Sequence, residues 1–171
     1  MELRDDRVTI RPPTEADIPA VLDAVQSSQP ELFPWLPWAT PEYRADDARA
    51  WVTNGRDATA MPFSVLTPAG RLIGAVGLNH VSEFNRSANL GYWIRTDAAG
   101  NGYASAATKL LAAHILATTN LNRMEIVMSV ENQASRRVAE RTGAHYEGVM
   151  IKALFLHGRP HNGHLYSITR P

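Results

Sequence analysis

The chain has 171 residues and a mass of 18.8 kDa, with 44% hydrophobic and 20% charged residues, which suits one domain with an apolar core and excludes a disordered chain. With no cysteine, disulfides, thiolate catalysis and Cys-ligated zinc are excluded, and 17 basic against 17 acidic residues give no global attraction to nucleic acid. Residues 1–97 carry 9 basic and 13 acidic side chains and residues 98–171 carry 8 and 4, so the second half is the one suited to an anionic ligand.

Apolar runs such as Leu110 to Leu116 stop far short of the roughly 20 residues of a membrane helix. The acidic start Met-Glu-Leu-Arg-Asp-Asp lacks the apolar segment of a secretion signal. The expectation is one cytoplasmic domain over residues 1–171, with no membrane or nucleic-acid partner, acting as a monomer or homodimer.

Val8 to Arg11 alternates like a strand and stops at Pro12-Pro13. Thr14 and Asp17 have capping-box spacing, and Ile18, Val21, Leu22 and Val25 recur on one helical face up to about Ser28. Residues 29–39 hold three prolines beside Phe33, Trp35 and Trp38, a pattern that predicts an irregular, apolar loop. Thr40-Pro41-Glu42 predicts the start of a second helix through Tyr43, Ala48, Trp51 and Val52. Pro62–Thr67, Leu72–Val81 and Ala88–Arg95 form an antiparallel meander broken at Pro68-Ala69-Gly70 and at Glu83 to Arg86.

Tyr103 to Thr118 is apolar on most sides and predicts a buried helix. A strand over Met124–Val130 is followed by a helix from the cap Asn132 to Thr142, with Gly143 at the left-handed position, and by strands near Tyr146–Leu156 and Leu165–Thr169. The order β-α-α-β-β-β-α-β-α-β-β predicts an α/β (α+β) fold, a mixed and mostly antiparallel sheet flanked by helices.

The segment Leu90-Gly91-Tyr92-Trp93-Ile94-Arg95-Thr96-Asp97-Ala98-Ala99-Gly100-Asn101-Gly102-Tyr103-Ala104 runs from a strand through a glycine loop into a long helix. Such a junction aims backbone N–H groups and the positive helix end at one spot, which suits phosphate; an ordinary strand-to-helix turn is the plainer alternative. A dinucleotide fingerprint fails because Ser105 replaces the third glycine, and a nucleotide-triphosphate loop fails because neither Lys109 nor Lys152 follows a glycine loop. Arg136 and Arg137 lie early in their helix, where a cation opposes the dipole unless an anion is near.

Gly100-x-Gly102-Tyr103-Ala104, then Glu131-Asn132-x-x-Ser135 and Glu140-Arg141-x-Gly143, resemble the GCN5-related N-acetyltransferase (GNAT) superfamily over nearly the whole chain. Leu90-Gly91-Tyr92-Trp93, the Trp-rich loop and Leu165-Tyr166 resemble its Rim-type ribosomal-protein N-terminal acetyltransferases. The resemblance implies acetyl transfer from acetyl-CoA to a primary amine, first of all a protein or peptide N-terminus. It implies that Ala98, Ala99, Gly100, Asn101, Gly102, Tyr103 and Ala104 receive the pyrophosphate and that Trp93, Ile94 and Arg95 pair with the pantetheine arm. Asn132 is then a pantetheine contact, Ser135 the residue that assists the leaving thiolate, and Arg136 or Arg137 a phosphate contact, with a backbone N–H near Ile94 facing the developing oxyanion.

Several positions depart from the family pattern. Asp97 and Ala99 stand where the loop usually carries Gln or Arg, and Asn89 and Leu154 stand where carboxylates often occur. His80, Glu83 and His161 remain as candidate bases, and Phe33, Trp35 and Trp38 as an acceptor wall. The imidazoles of His157, His161 and His164 lie on a turn-like segment and predict no metal site. A small amine such as an antibiotic or polyamine is the alternative acceptor, and a CoA-binding module with weak catalysis the alternative function. A cationic acceptor requires that some of Glu31, Glu42, Asp46 and Asp47 line the site.

Overall fold

A computed structural model describes residues 1–54 and 60–170. Eight strands form one sheet in the order β1-β2-β3-β4-β5-β6-β8-β7. They are β1 Leu3–Arg4, β2 Thr9–Arg11, β3 Met61–Leu66, β4 Leu72–Ser82, β5 Ser87–Ile94, β6 Arg123–Ser129, β7 His145–Leu156 and β8 Arg159–Thr169. The helices are α1 Ile18–Gln26, α2 Gln29–Leu32, α3 Ala45–Asn54, α4 Tyr103–Thr118 and α5 Gln133–Thr142. Neighbouring strands pair antiparallel except β5 and β6.

Each face of the sheet has its own core. Leu111 and Ile115 of α4 pack with Ile10, Val65, Leu90, Met124 and Ile126, and alanine and leucine cover much of the helix, with an exposed stripe at Lys109, Ala113 and Ala117. On the opposite face Val21 and Val25 of α1 pack with Tyr43, Ala48 and Val52 of the α3 region and with Leu72. Large aliphatic side chains buried this fully contribute about 1.5–3 kcal/mol each.

Arg11 at the end of β2 and Asp17 at the start of α1 join strand to helix through a paired contact at 2.7 Å from each guanidinium nitrogen. Asp17 also accepts from the Thr14 N–H at 2.8 Å, which is the capping contact the sequence anticipates. Burial alone would raise the Asp17 carboxyl, but Arg11 and Thr14 together hold it below the usual carboxylate range.

Four expected boundaries differ. Residues 29–39 are not wholly irregular, because Pro30 falls in the first turn of α2, where its missing N–H costs no hydrogen bond. The second long helix begins at Ala45 rather than at Thr40: the Tyr43 N–H closes a turn onto the Thr40 carbonyl, and Asp47 reaches back to accept from Arg44 N–H at 2.8 Å. The last strand starts at Arg159, with Pro160 lying beyond the stretch that pairs with β6. A two-residue strand, Leu3–Arg4, precedes the first expected one.

The feature that positions the site is the divergence of β5 and β6. Their parallel pairing covers only Ser87–Asn89 against Arg123–Glu125, after which the strands part and leave a wedge open between them.

Candidate active site

Backbone alternation determines which groups face the wedge. Arg95 N–H donates to the Ile73 carbonyl at 2.8 Å, so in the regular β4–β5 ladder Trp93 and Gly91 also direct their N–H groups toward β4. The N–H groups of Tyr92 and Ile94 therefore point to the side from which β6 has withdrawn. A cavity of about 490 Å³ runs along this edge from the glycine loop to the first turn of α5.

At one end, Gly100 (φ 81°) and Gly102 (φ 79°) take left-handed conformations that let the loop turn into α4. Among the described residues, the N–H groups of residues 100–105 donate to no protein acceptor. Six free amides at the positive end of a 16-residue helix fit a pyrophosphate, and the space beside Gly100 is open. Asn101 folds its side-chain amide back onto the Ala98 and Ala99 carbonyls at 3.1 and 3.3 Å, so it braces the loop instead of facing the cavity. The Arg7 guanidinium, which no sequence motif marks, reaches the Asn101 carbonyl at 3.4 Å and ends 3.0 Å from where a Gly102 Cβ would stand.

The anomalous Asp97 is neutralised in place. Arg71 bonds it at 2.5 Å and Arg95 at 2.7 Å, and this pairing holds its carboxyl below the usual range. Arg95 also reaches Asp23 at 2.9 Å. Its side chain therefore ties β5 to α1 and does not line the cavity, so any contact of Arg95 with the pantetheine arm is left to its backbone.

At the other end, the Asn132 side-chain oxygen accepts from the Ser135 N–H at 3.0 Å, capping α5 and holding Ser135 at the cavity wall. The Tyr92 hydroxyl lies 3.0 Å from the Ser135 carbonyl and 3.0 Å from Ser135 Oγ. Burial pushes the Tyr92 phenol up to about 12, so it remains a proton donor at every physiological pH. Arg137 and Arg141, spaced one helical turn apart, line the cavity, whereas Arg136 turns away to Glu140 at 2.9 Å. That contact corrects the expectation for Arg136.

A second cavity of about 520 Å³ lies on the α1–α3 face, walled by Trp38, Tyr43, Trp51, Trp93 and Asp47. The two cavities meet at Leu36, Asn79, Gly91, Tyr92 and Trp93. Of the acidic candidates, Glu31 lines the first cavity and Asp47 the second, while Glu42 and Asp46 are exposed and line neither.

The expected base and acceptor residues separate. His80 (φ 51°) and Glu83 stand exposed at the far end of the β4–β5 hairpin and line neither cavity. The residue that does reach both cavities is their neighbour Asn79, held by Asn89 at 2.8 Å. His161 sits in β8 opposite Leu154 and lines neither cavity. Trp35 lines the first cavity and Trp38 the second, but Phe33 packs its ring 4.2 Å from that of His157, whose Nε2 lies 2.7 Å from the Phe33 carbonyl. Phe33 thus docks the early loop on the β7–β8 hairpin and is not an acceptor wall. The imidazoles diverge, since His164 is buried with its Nδ1 3.1 Å from the Tyr146 hydroxyl.

Tyr92 and Arg141, which line the first cavity, and Arg7, which contacts its glycine loop, are not singled out by the sequence. Strand alternation was the available signal for Tyr92, because Leu90, Tyr92 and Ile94 share the face that packs toward α4.

Comparison with known proteins agrees with this architecture. The acetyltransferase (GNAT) domain family matches residues 7–145. YdaF of Bacillus subtilis (strain 168) is 29% identical over 171 residues, covering 97% of this chain and 93% of that protein. The ribosomal-protein-serine acetyltransferase of Escherichia coli (strain K12) is 33% identical over 96 residues, 56% of this chain and 54% of its own. RimJ of Mycobacterium smegmatis, solved in complex with CoA-disulfide, has a TM-score of 0.82 at 26% identity, covering 99% of this chain and 86% of that one. RimL, a ribosomal L7/L12 alpha-N-protein acetyltransferase solved with CoA, shares the fold with a TM-score of 0.90 at 24% identity, over 99% and 98% of the two chains. A glycine loop with six free amides, a wedge between parted strands and a matching domain over most of its length place this chain in the GNAT acetyltransferase family.

Proposed function

We propose that this protein transfers the acetyl group of acetyl-CoA to the N-terminal α-amine of a protein in the cytoplasm. The observation that carries the reading is the meeting of two cavities at Tyr92 and Trp93, one built for a long anionic cofactor and the other for an acceptor. The ribosomal-protein acetyltransferases among its relatives support an N-terminal acceptor.

Acetyl-CoA supplies an activated thioester carbonyl. The loop amides of residues 100–105 hold its pyrophosphate, with Arg7, Arg137 and Arg141 as the cations that replace the missing loop arginine. The Tyr92 and Ile94 backbone groups on the open edge of β5 hold the pantetheine arm as an added strand would, and the Ile94 N–H serves as donor where negative charge develops on the carbonyl oxygen. Ser135 would turn its hydroxyl proton to the departing sulfur, and Tyr92, which donates to the Ser135 carbonyl with its oxygen 3.0 Å from Ser135 Oγ, would hold Ser135 in place for that transfer.

Among the described residues no carboxylate or imidazole lines the place where the cavities meet, and Tyr92 stays protonated. The amine therefore enters neutral or loses its proton to water. An α-amine has a reference pKa near 7.9 and a lysine near 10.4, so at about pH 7.5 the neutral fractions differ roughly 200-fold. Two peptides test the reading, one with a free α-amine and blocked lysine, the other reversed. Acetylation should favour the first by about that factor at pH 7.5, and the gap should close as pH approaches 10. Equal rates at pH 7.5 would contradict the reading, and absence of transfer to either peptide would overturn it.

A further inference from the structure

The second cavity offers more than an opening for an amine. Its walls include three indoles and a phenol, and among the described residues the Asp47 carboxylate is the one charged group that lines it. The rings are set at angles, Trp38 to Trp93 at 65° with centroids 6.0 Å apart and Trp38 to Tyr43 at 52° with centroids 5.9 Å apart. A slot for a flat ring needs parallel plates. Rings inclined at these angles form no such slot, and aromatic walls beside a carboxylate are a setting that attracts a cation.

The polar corner has the same sign. Asp47 uses one oxygen to accept from Arg44 N–H at 2.8 Å and keeps the other. The Tyr43 hydroxyl has no hydrogen-bond partner among the described residues, and burial first and the nearby Asp47 carboxylate second keep it protonated. The nearby Arg44 guanidinium is turned to the Pro41 and Tyr43 carbonyls at 3.1 and 3.3 Å and contributes nothing to the walls.

We infer that the acceptor carries a second, cationic group beside its reacting amine, held in the hollow formed by Trp38, Tyr43, Trp51, Trp93 and Asp47. For a protein N-terminus this is an arginine or lysine within the first residues. The inference rests on the acetyl-transfer reading for the location of the amine, but recognition of the cation is a binding property and is measurable without turnover.

The test compares Ser-Arg and Ser-citrulline peptides, which match in shape and differ in charge. Binding is followed by quenching of indole fluorescence with CoA present, and transfer by release of free CoA from acetyl-CoA. The arginine peptide should bind and react about 5- to 30-fold better, and Asp47→Asn, whose amide oxygen still caps Arg44 N–H, should reduce that preference to within about 3-fold without changing CoA affinity. Trp38→Leu should lower the preference in the same way. Transfer without discrimination between the peptides overturns the inference and leaves acetyl transfer intact. Charge-selective binding without transfer supports the inference and removes the acetyl-transfer reading. A Ser-Phe peptide that outperforms both would show a ring site and overturn it.

Discussion

The contact between Tyr92 and Ser135 allows a quantitative test of the leaving-group assignment. Tyr92→Phe removes one hydroxyl and leaves the ring packed where Leu90 and Ile94 need it. The hydroxyl makes two 3.0 Å contacts, to the Ser135 carbonyl and to Oγ, and only the second bears on the sulfur. One neutral hydrogen bond is worth about 0.5–1.5 kcal/mol, so kcat should fall roughly 2- to 13-fold with KM for acetyl-CoA nearly unchanged. Ser135→Ala removes the direct donor and should cost about 10- to 1000-fold. Because Tyr92 acts through Ser135, adding Tyr92→Phe to Ser135→Ala should change kcat by less than about 2-fold. Steady-state release of CoA gives the rates, and thermal melting checks that each variant folds. If the two substitutions multiply as independent factors, Tyr92 does not work through Ser135; if Ser135→Ala keeps wild-type kcat, the leaving-group role itself is refuted.

Arg7→Ala should weaken CoA about 5-fold in calorimetry and leave pantetheine affinity unchanged, because Arg7 stands at the pyrophosphate loop; equal losses for both would make it only a brace for Asn101. Asp17→Asn should destabilise the fold by about 2–3 kcal/mol in urea unfolding, near the low end for breaking a buried ion pair, since the Asp17 side chain is 8% exposed and that of Arg11 25%. The Asp17 carboxyl is depressed in the folded state, so its contribution is complete above its unfolded pKa, near 4, and is lost as pH falls through the lower folded value. Acid unfolding should therefore steepen below about pH 4 in the wild type and flatten there in Asp17→Asn; identical acid limbs would show that the pair does not govern acid stability.

Elements whose signals are local were readable. Helix α4 matches its expected span at both ends, because Gly102 in a left-handed conformation and a run rich in alanine and leucine define it without tertiary help. The cap of α5 was equally plain, since Asn132 and Gly143 act within one turn of chain. The start of α3 was misplaced because two caps competed. Thr40-Pro41 has the right composition, but its turn closes on Tyr43, whose ring is needed in the second core, and the Arg44–Asp47 cap four residues later takes over. Pro30 misled for a related reason, as a proline forbids a helix interior and not its first turn.

The site divides along the same line. The glycine loop, Asn132 and Ser135 are each set by a neighbour within three residues, so sequence spacing carried them. The bases failed because choosing them required knowing where a hairpin ends: β4 keeps its register with β5 only to Asn79, and past that shift His80 projects outside the wedge. Arg7 shows the converse. It lies 94 residues from Asn101 in sequence and meets it only because β1 and β2 form the edge of the sheet beside α4, a contact no periodicity encodes. Arg136 and Arg137 illustrate how narrow the margin is, since a rotation of about 100° per residue sends one to Glu140 and the other into the cavity. The helix dipole argument pointed to the first turns of α5, and the packing of α5 against α4 and β6 decided which of the two guanidinium groups faces the cavity.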